Sequence, residues 1–212
     1  LAKDAEMLVI IDAVTSLAGI ELKTDERGAD VIYSGTQKCL SGLPGISPIT
    51  FSDAAVEAIR ARTQKVQSWF LDMNLIMGYW GEGTKRSYHH TAPVNAVYAI
   101  HEALLMLEEE GLEASVARHR ANHLKLAAGL SELGLELAVA EEWRLPQLNS
   151  VLIPEGMDDA NVRGRLLNEF DLEVGTGLGH LAGQQWRLGL MGSSSNAVNV
   201  NRCLRAFEAV LR

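Results

Sequence analysis

Asp12 ends an apolar run, Met7 to Ile11, and is followed by AVTSLAG. A carboxylate at the C-terminal edge of a parallel sheet stands where α/β folds place functional groups, although aspartate there is also a common helix cap or turn residue. Lys38 follows Tyr33, Ser34, Gly35, Thr36 and Gln37 and precedes Cys39, Leu40 and a Gly/Pro loop, a small and hydroxylic setting unlike that of a surface lysine. Pyridoxal phosphate needs a lysine amine for its Schiff base and an acidic partner for its pyridine nitrogen, and Lys38 with Asp12 fits both needs. The hydroxyls of Ser34 and Thr36 and the amide of Gln37 are compact donors suited to a phosphate or a ring hydroxyl.

Other residues invite sharper chemistry than they support. His89 and His90 are adjacent, so their side chains are expected to diverge, and no carboxylate or cysteine completes a metal set. His119 and His123 have the four-residue spacing of a helical metal pair but lack the intervening glutamate of a catalytic one, and a solvated helix face is expected. GTGLG, Gly175 to Gly179, has no dinucleotide spacing and no following Lys-Ser/Thr, so it reads as a flexible loop near a substrate entrance. Cys39 reads as a small buried filler and Glu108, Glu109 and Glu110 as a solvated charge run. Arg187 suits a carboxylate-binding fork or a structural salt bridge.

The elements that position these residues follow from hydrophobic period. MLVIID at 7–12, VIYSG at 31–35 and ISPITF at 46–51 read as strands, the first as a fully buried parallel one. Asp53 is placed as the cap of a helix through AAVEAIRAR, and an irregular aromatic and glycine-rich stretch then leads to Ser87. Long helical patterns run from Pro93 to Gly111 and from Leu112 to Leu133 before Gly134. Strand-like LELAV, LNSVLIP and QQWRLGL then alternate with helical segments near 158–170 and 196–211, a second α/β unit. The division falls near Gly111, giving units 1–110 and 111–212.

The 212 residues, 47% of them hydrophobic, suffice for a sizeable core, which excludes a disordered chain. Nineteen basic against 27 acidic residues leave a net charge of −8 with no basic cluster, so neither nucleic acid nor an anionic membrane is an expected partner. Two cysteines are too few for a disulfide framework, and no secretory signal or membrane-spanning run is read, so a cytoplasmic, reducing setting is expected.

DAVTSLAG, ADVIYSGTQKCLSGLPG, YHHTAPVNAVYAIHEALLMLEEEGLE and QWRLGLMG, in that order, resemble the class V aminotransferases of pyridoxal-phosphate fold type I. The nearest subgroup is the alanine:glyoxylate and serine:pyruvate (serine:glyoxylate) aminotransferases. The resemblance implies the C-terminal part of the large α/β cofactor domain, with its connecting helix, followed by a small C-terminal α/β domain. It makes Lys38 the Schiff-base lysine and Asp12 the pyridinium partner, packs Val14 on a ring face, and sets Gln37 and Thr36 near the ring hydroxyl or phosphate. Tyr88 and Thr91 would reach the phosphate held by a neighbouring subunit, which implies a homodimer with shared sites, and Arg187 would hold the substrate carboxylate. Family members begin well upstream, and that portion supplies a phosphate turn, a stacking aromatic and a further phosphate hydroxyl that have no counterpart here.

The activity so implied moves an amino group from alanine or serine to glyoxylate or pyruvate. Two rivals stand beside it: another fold type I reaction, as in lyases or desulfurases, and a scaffold that folds and dimerises without turnover. Desulfurases carry a histidine before the lysine, where this chain has Gln37.

Overall fold

The computed structural model describes residues 2–80, 85 and 87–212. Gly81 and Gly83, in the irregular stretch before Ser87, lie outside the described residues.

Strands β1 (Ile10–Asp12), β2 (Val31–Tyr33) and β3 (Ile49–Phe51) form one sheet in that order, β1 parallel and β3 antiparallel to β2. They take the last three residues of the first and third apolar runs and the first three of the second. Asp30 ties one edge of this sheet together, at the starts of β1 and β2 and the end of β3, because its buried carboxylate accepts from the Val9 amide at 2.8 Å and from the Ser52 hydroxyl at 2.9 Å. Ser52, not Asp53, caps helix α1 (Asp53–Arg60): its extended backbone lets its oxygen accept from the Ala55 amide, leaving Asp53 in the first turn. The first strand is not fully buried. It is an edge strand with Met7, Leu8 and Ile10 exposed, and it borders an apolar groove of about 500 Å³ shared with Phe51, Ile59 and Leu71. Helix α2 (Met73–Trp80) follows, in a stretch whose apolar residues show no helical period.

Helix α3 (Val94–Glu110) and helix α4 (Leu112–Glu132) meet at Gly111, whose φ of 86° lies where a side chain is disfavoured. The second sheet is antiparallel in the order β4 (Leu148–Leu152), β6 (Gln185–Gly189), β5 (Gly175–Thr176). LELAV contributes only a bridge from Leu137 to Val151. Helix α5 (Asp159–Phe170) and helix α6 (Ala197–Leu211) pack with α4 against this sheet around Trp186 and Phe207, whose rings are 5.4 Å apart. Alternation along β6 sends Trp186 and Leu188 into that core and Arg187 to the other face. Among the described residues no helix is long and apolar enough to cross a membrane.

Candidate active site

Asp12 and Tyr33 end the two parallel strands side by side. The Asp12 carboxylate accepts from the Val14 amide at 2.8 Å, a turn that fixes the acid at the sheet edge and leaves it exposed. It lies close enough to Tyr33 to hold that hydroxyl's pKa above the usual phenolic value. Val14 itself is half-buried beside it.

After β2 the chain turns through Gly35 to Lys38. Ser34 and Thr36 hold this turn together and are not open to a ligand. The buried Ser34 hydroxyl donates to the Ala13 carbonyl at 2.8 Å. Thr36, fully buried, has its hydroxyl oxygen against the Leu43 carbonyl and 3.1 Å from that of Ile46. The only donor proton of Thr36, expected near the cofactor, is engaged by backbone within the loop it closes. Gln37 is exposed, and Lys38 is half-buried with no hydrogen-bond or ion-pair partner among the described residues.

Lys38 faces a cleft of about 320 Å³ between the two halves of the chain, with Gln37 and Ser41 on its own side and Gly189, Met191 and Ser193 on the other. Arg187 lies just before that far wall on β6. Its Nε donates to the Thr176 carbonyl at 2.8 Å, and Nη2 passes 3.4 Å from where a side chain at Gly175 would begin. No carboxylate pairs with Arg187 among the described residues, so both terminal nitrogens remain open to a planar anion. The GTGLG segment supplies that support: Gly175 and Thr176 form β5, and Gly177 packs so tightly on Leu181 that a Cβ would meet its carbonyl oxygen at 2.1 Å. Its first two residues thus pair in the sheet beside Arg187, where a loop was expected from composition.

Tyr88 and Thr91 lie exposed, their hydroxyls 2.7 Å apart. Between them the two histidines do not diverge. His89 stacks on Trp69 at 4.0 Å, and its Nδ1 is 2.7 Å from that of His90. Among the described residues no group of three ligands for a metal occurs. Cys39 is buried, as expected, and burial raises its thiol pKa, which disfavours a nucleophilic role.

Three residues that sequence reasoning set aside prove central. His119 and His123 are buried on the inner face of α4 instead of solvated; His123 Nδ1 is 2.6 Å from Asn149 Oδ1. Glu110 is not merely solvated but pairs with the Arg118 guanidinium, which holds the Glu110 carboxyl below the usual carboxylate range. The signal that could have found the two histidines is the stripe Ser115, His119, His123, Leu126, Leu130, which has helical spacing but polar members.

The Aminotransferase class-V family profile matches residues 1–196. Among curated relatives, alanine–glyoxylate aminotransferase of Felis catus is 39% identical over 207 residues, 97% of this chain and 50% of that protein. The (S)-ureidoglycine–glyoxylate transaminase of Bacillus subtilis is 36% identical over 224 residues, 97% of this chain and 53% of that one. The chain thus spans about half the length of the curated relatives it matches. Among solved structures, alanine–glyoxylate aminotransferase from Nostoc sp. superposes with a TM-score of 0.95 at 46% identity, covering 100% of this chain and 55% of that one. The chain's fold is accordingly the α/β fold of the fold type I aminotransferases, in part.

Proposed function

The chain belongs to the class-V aminotransferase family, and on that basis we propose that its protein is a pyridoxal-phosphate-dependent transaminase moving an amino group from alanine or serine to glyoxylate or pyruvate. The observation that carries this reading is one cleft joining a lysine amine to the strand of an arginine, the amine and the arginine's two terminal nitrogens having no partner among the described residues.

The residues present fit the cofactor. Lys38 Nζ has no partner to displace among the described residues, and it would hold the carbonyl carbon covalently. The Asp12 carboxylate, exposed and fixed by one backbone amide, would hold the pyridine nitrogen in its protonated form. Val14 would pack on a ring face, Gln37 would serve the ring hydroxyl or phosphate, and Tyr88 with Thr91 would serve the phosphate of a neighbouring subunit. When bound, pyridoxal phosphate supplies an electron sink for the charge left at the substrate Cα. Arg187 would orient the α-carboxylate, and the Lys38 amine, free once the substrate amine has replaced it on the cofactor carbon, would take the Cα proton and return it as general acid.

The units 1–110 and 111–212 are proposed as the C-terminal part of the cofactor domain and the small domain. A homodimer in a reducing cytoplasm completes the reading; the mutually bonded, exposed Tyr88 and Thr91 support the first and two free cysteines the second. The test is an assay of the full-length protein with alanine or serine against glyoxylate and pyruvate, following keto acid formation. Amino transfer that disappears with Lys38→Ala is expected. Failure to transfer with every pair, in protein loaded with cofactor, refutes the proposal.

A further inference from the structure

His119 is fully buried in α4, and hydrogen bonds on its two sides fix its tautomer. Nδ1 lies 2.7 Å from the Ser115 carbonyl oxygen, which can only accept, so Nδ1 carries the proton. Nε2 is therefore bare and accepts from the Gly192 amide at 2.9 Å. A second proton would set two donors against each other at Gly192. Burial lowers the His119 pKa, with the help of Arg118 beside it and against the opposing pull of the Ser115 carbonyl and of Glu110 from α3, so the neutral form is the one favoured.

Gly192 is a crowded junction. Its φ of 56° favours glycine, and a Cβ there would meet Ser41 Oγ at 2.0 Å and the Cys39 carbonyl at 3.0 Å. Arg118 Nη1 donates to the Gly192 and Ser195 carbonyls at 2.7 and 2.8 Å, and Asn122 Nδ2 donates to Ser195 at 2.9 Å. From the opposite side Ser41, three residues past Lys38, accepts from the Ser193 amide at 2.8 Å. This turn follows β6, which carries Arg187, and it lines the cleft of Lys38.

We propose that neutral His119 is a positioning residue: by holding Gly192 between α4 and the Lys38 loop it sets the placement of Arg187 relative to Lys38, and hence recognition of the substrate carboxylate. This rests on the transaminase reading above and deepens it.

The test uses the full-length protein. His119→Leu removes the acceptor, and amide exchange at Gly192, measured without cofactor, should quicken about tenfold, as for loss of one buried hydrogen bond. KM for alanine should rise about tenfold while kcat stays within about threefold, and the rate with an amine lacking a carboxylate should not change. His119→Gln, whose side-chain oxygen can reach the same amide, should restore both readouts. Ser41→Gly probes the other side without strain, since Ser41 already has a φ of 62°, and it should raise exchange at Ser193 and the alanine KM together. This variant decides the matter should His119→Leu not fold. Unchanged exchange and KM in the folded variants, or an equal loss for the carboxylate-free amine, overturns the proposal. Were Lys38→Ala and Arg187→Lys themselves without effect, the transaminase reading would fall; were those effective and the His119 and Ser41 variants silent, only the positioning role would.

Discussion

Two arginines of this chain show what separates a binding group from a strut. Arg118 has its guanidinium occupied by the Glu110 carboxylate and by two backbone carbonyls, whereas Arg187 uses only Nε, on Thr176. A charge-assisted hydrogen bond contributes about 1.5–3 kcal/mol, so Arg187→Lys, which cannot present two parallel donors, should lower kcat/KM for alanine at least tenfold. An amine without a carboxylate should lose nothing; equal loss for both would make Arg187 structural. The lysines divide the same way. Lys23 sits 3.5 and 3.6 Å from Glu21 and Glu26, while Lys38 has no such partner among the described residues, so borohydride should trap the cofactor on Lys38 in the full-length protein. A peptide map placing the adduct on Lys23 or Lys65 would overturn the assignment. Asp12→Asn keeps an oxygen for the Val14 amide and so should keep the fold, yet single-turnover amino transfer should slow by about two orders of magnitude or more because the carboxylate's charge is gone. An unchanged rate would remove Asp12 from the mechanism.

At the scale of elements, what was legible in the sequence was what local physics decides. The breaks at Gly111 and Gly134 follow from backbone angles open to glycine, with φ of 86° and 78°, and they delimit α3 and α4 as the periodicity predicts. The places of Asp12 at a strand end and Lys38 in the turn after a strand were legible because both depend on local sequence. The misplaced features depend on distant partners. The Thr36 hydroxyl meets carbonyls of a loop that folds back from Leu43 and Ile46, His119 meets an amide 73 residues away, and β5 exists only because Arg187 and Trp186 pair with it. Asp159 is a further such case, since it joins α5 to the sheet. Its carboxylate accepts from Arg163, from Trp186 Nε1 at 2.8 Å and from the Thr176 hydroxyl at 3.3 Å, and these three bonds, with the Arg163 charge, lower its pKa against the opposing effect of burial. A carboxylate depressed in the folded state adds stability above its unfolded pKa and loses it as pH falls through the folded value. The Tm of the protein should therefore drop on acidification below the ordinary aspartate range. Asp159→Asn should cost about 2 kcal/mol near neutral pH and close most of that gap in acid, and parallel Tm curves for the two proteins would show that the charge does not matter.

For the whole molecule the informative feature is where apolar and polar groups face outward together. Trp69 and Trp80 are 56% and 63% exposed on the same segment as Tyr88 and Thr91, an unusual display of large rings unless another surface covers them. The hydroxyl pair of Tyr88 and Thr91 lies exposed on that surface, so its proposed phosphate is one held by another copy. If so, the two defects should complement across subunits. Protein carrying Lys38→Ala and protein carrying Tyr88→Phe with Thr91→Ala should each be nearly inactive with alanine and glyoxylate as full-length homodimers. In a mixed dimer one site combines both lesions, but the other pairs an intact Lys38 with the partner subunit's Thr91 and Tyr88, both unaltered. Co-expressed and purified on two different tags, the mixed dimer should recover about half the wild-type kcat per dimer, because one of its two sites is whole. Recovery absent in a mixed dimer that still binds cofactor would place Tyr88 and Thr91 in the service of their own subunit's site and remove the shared-site arrangement.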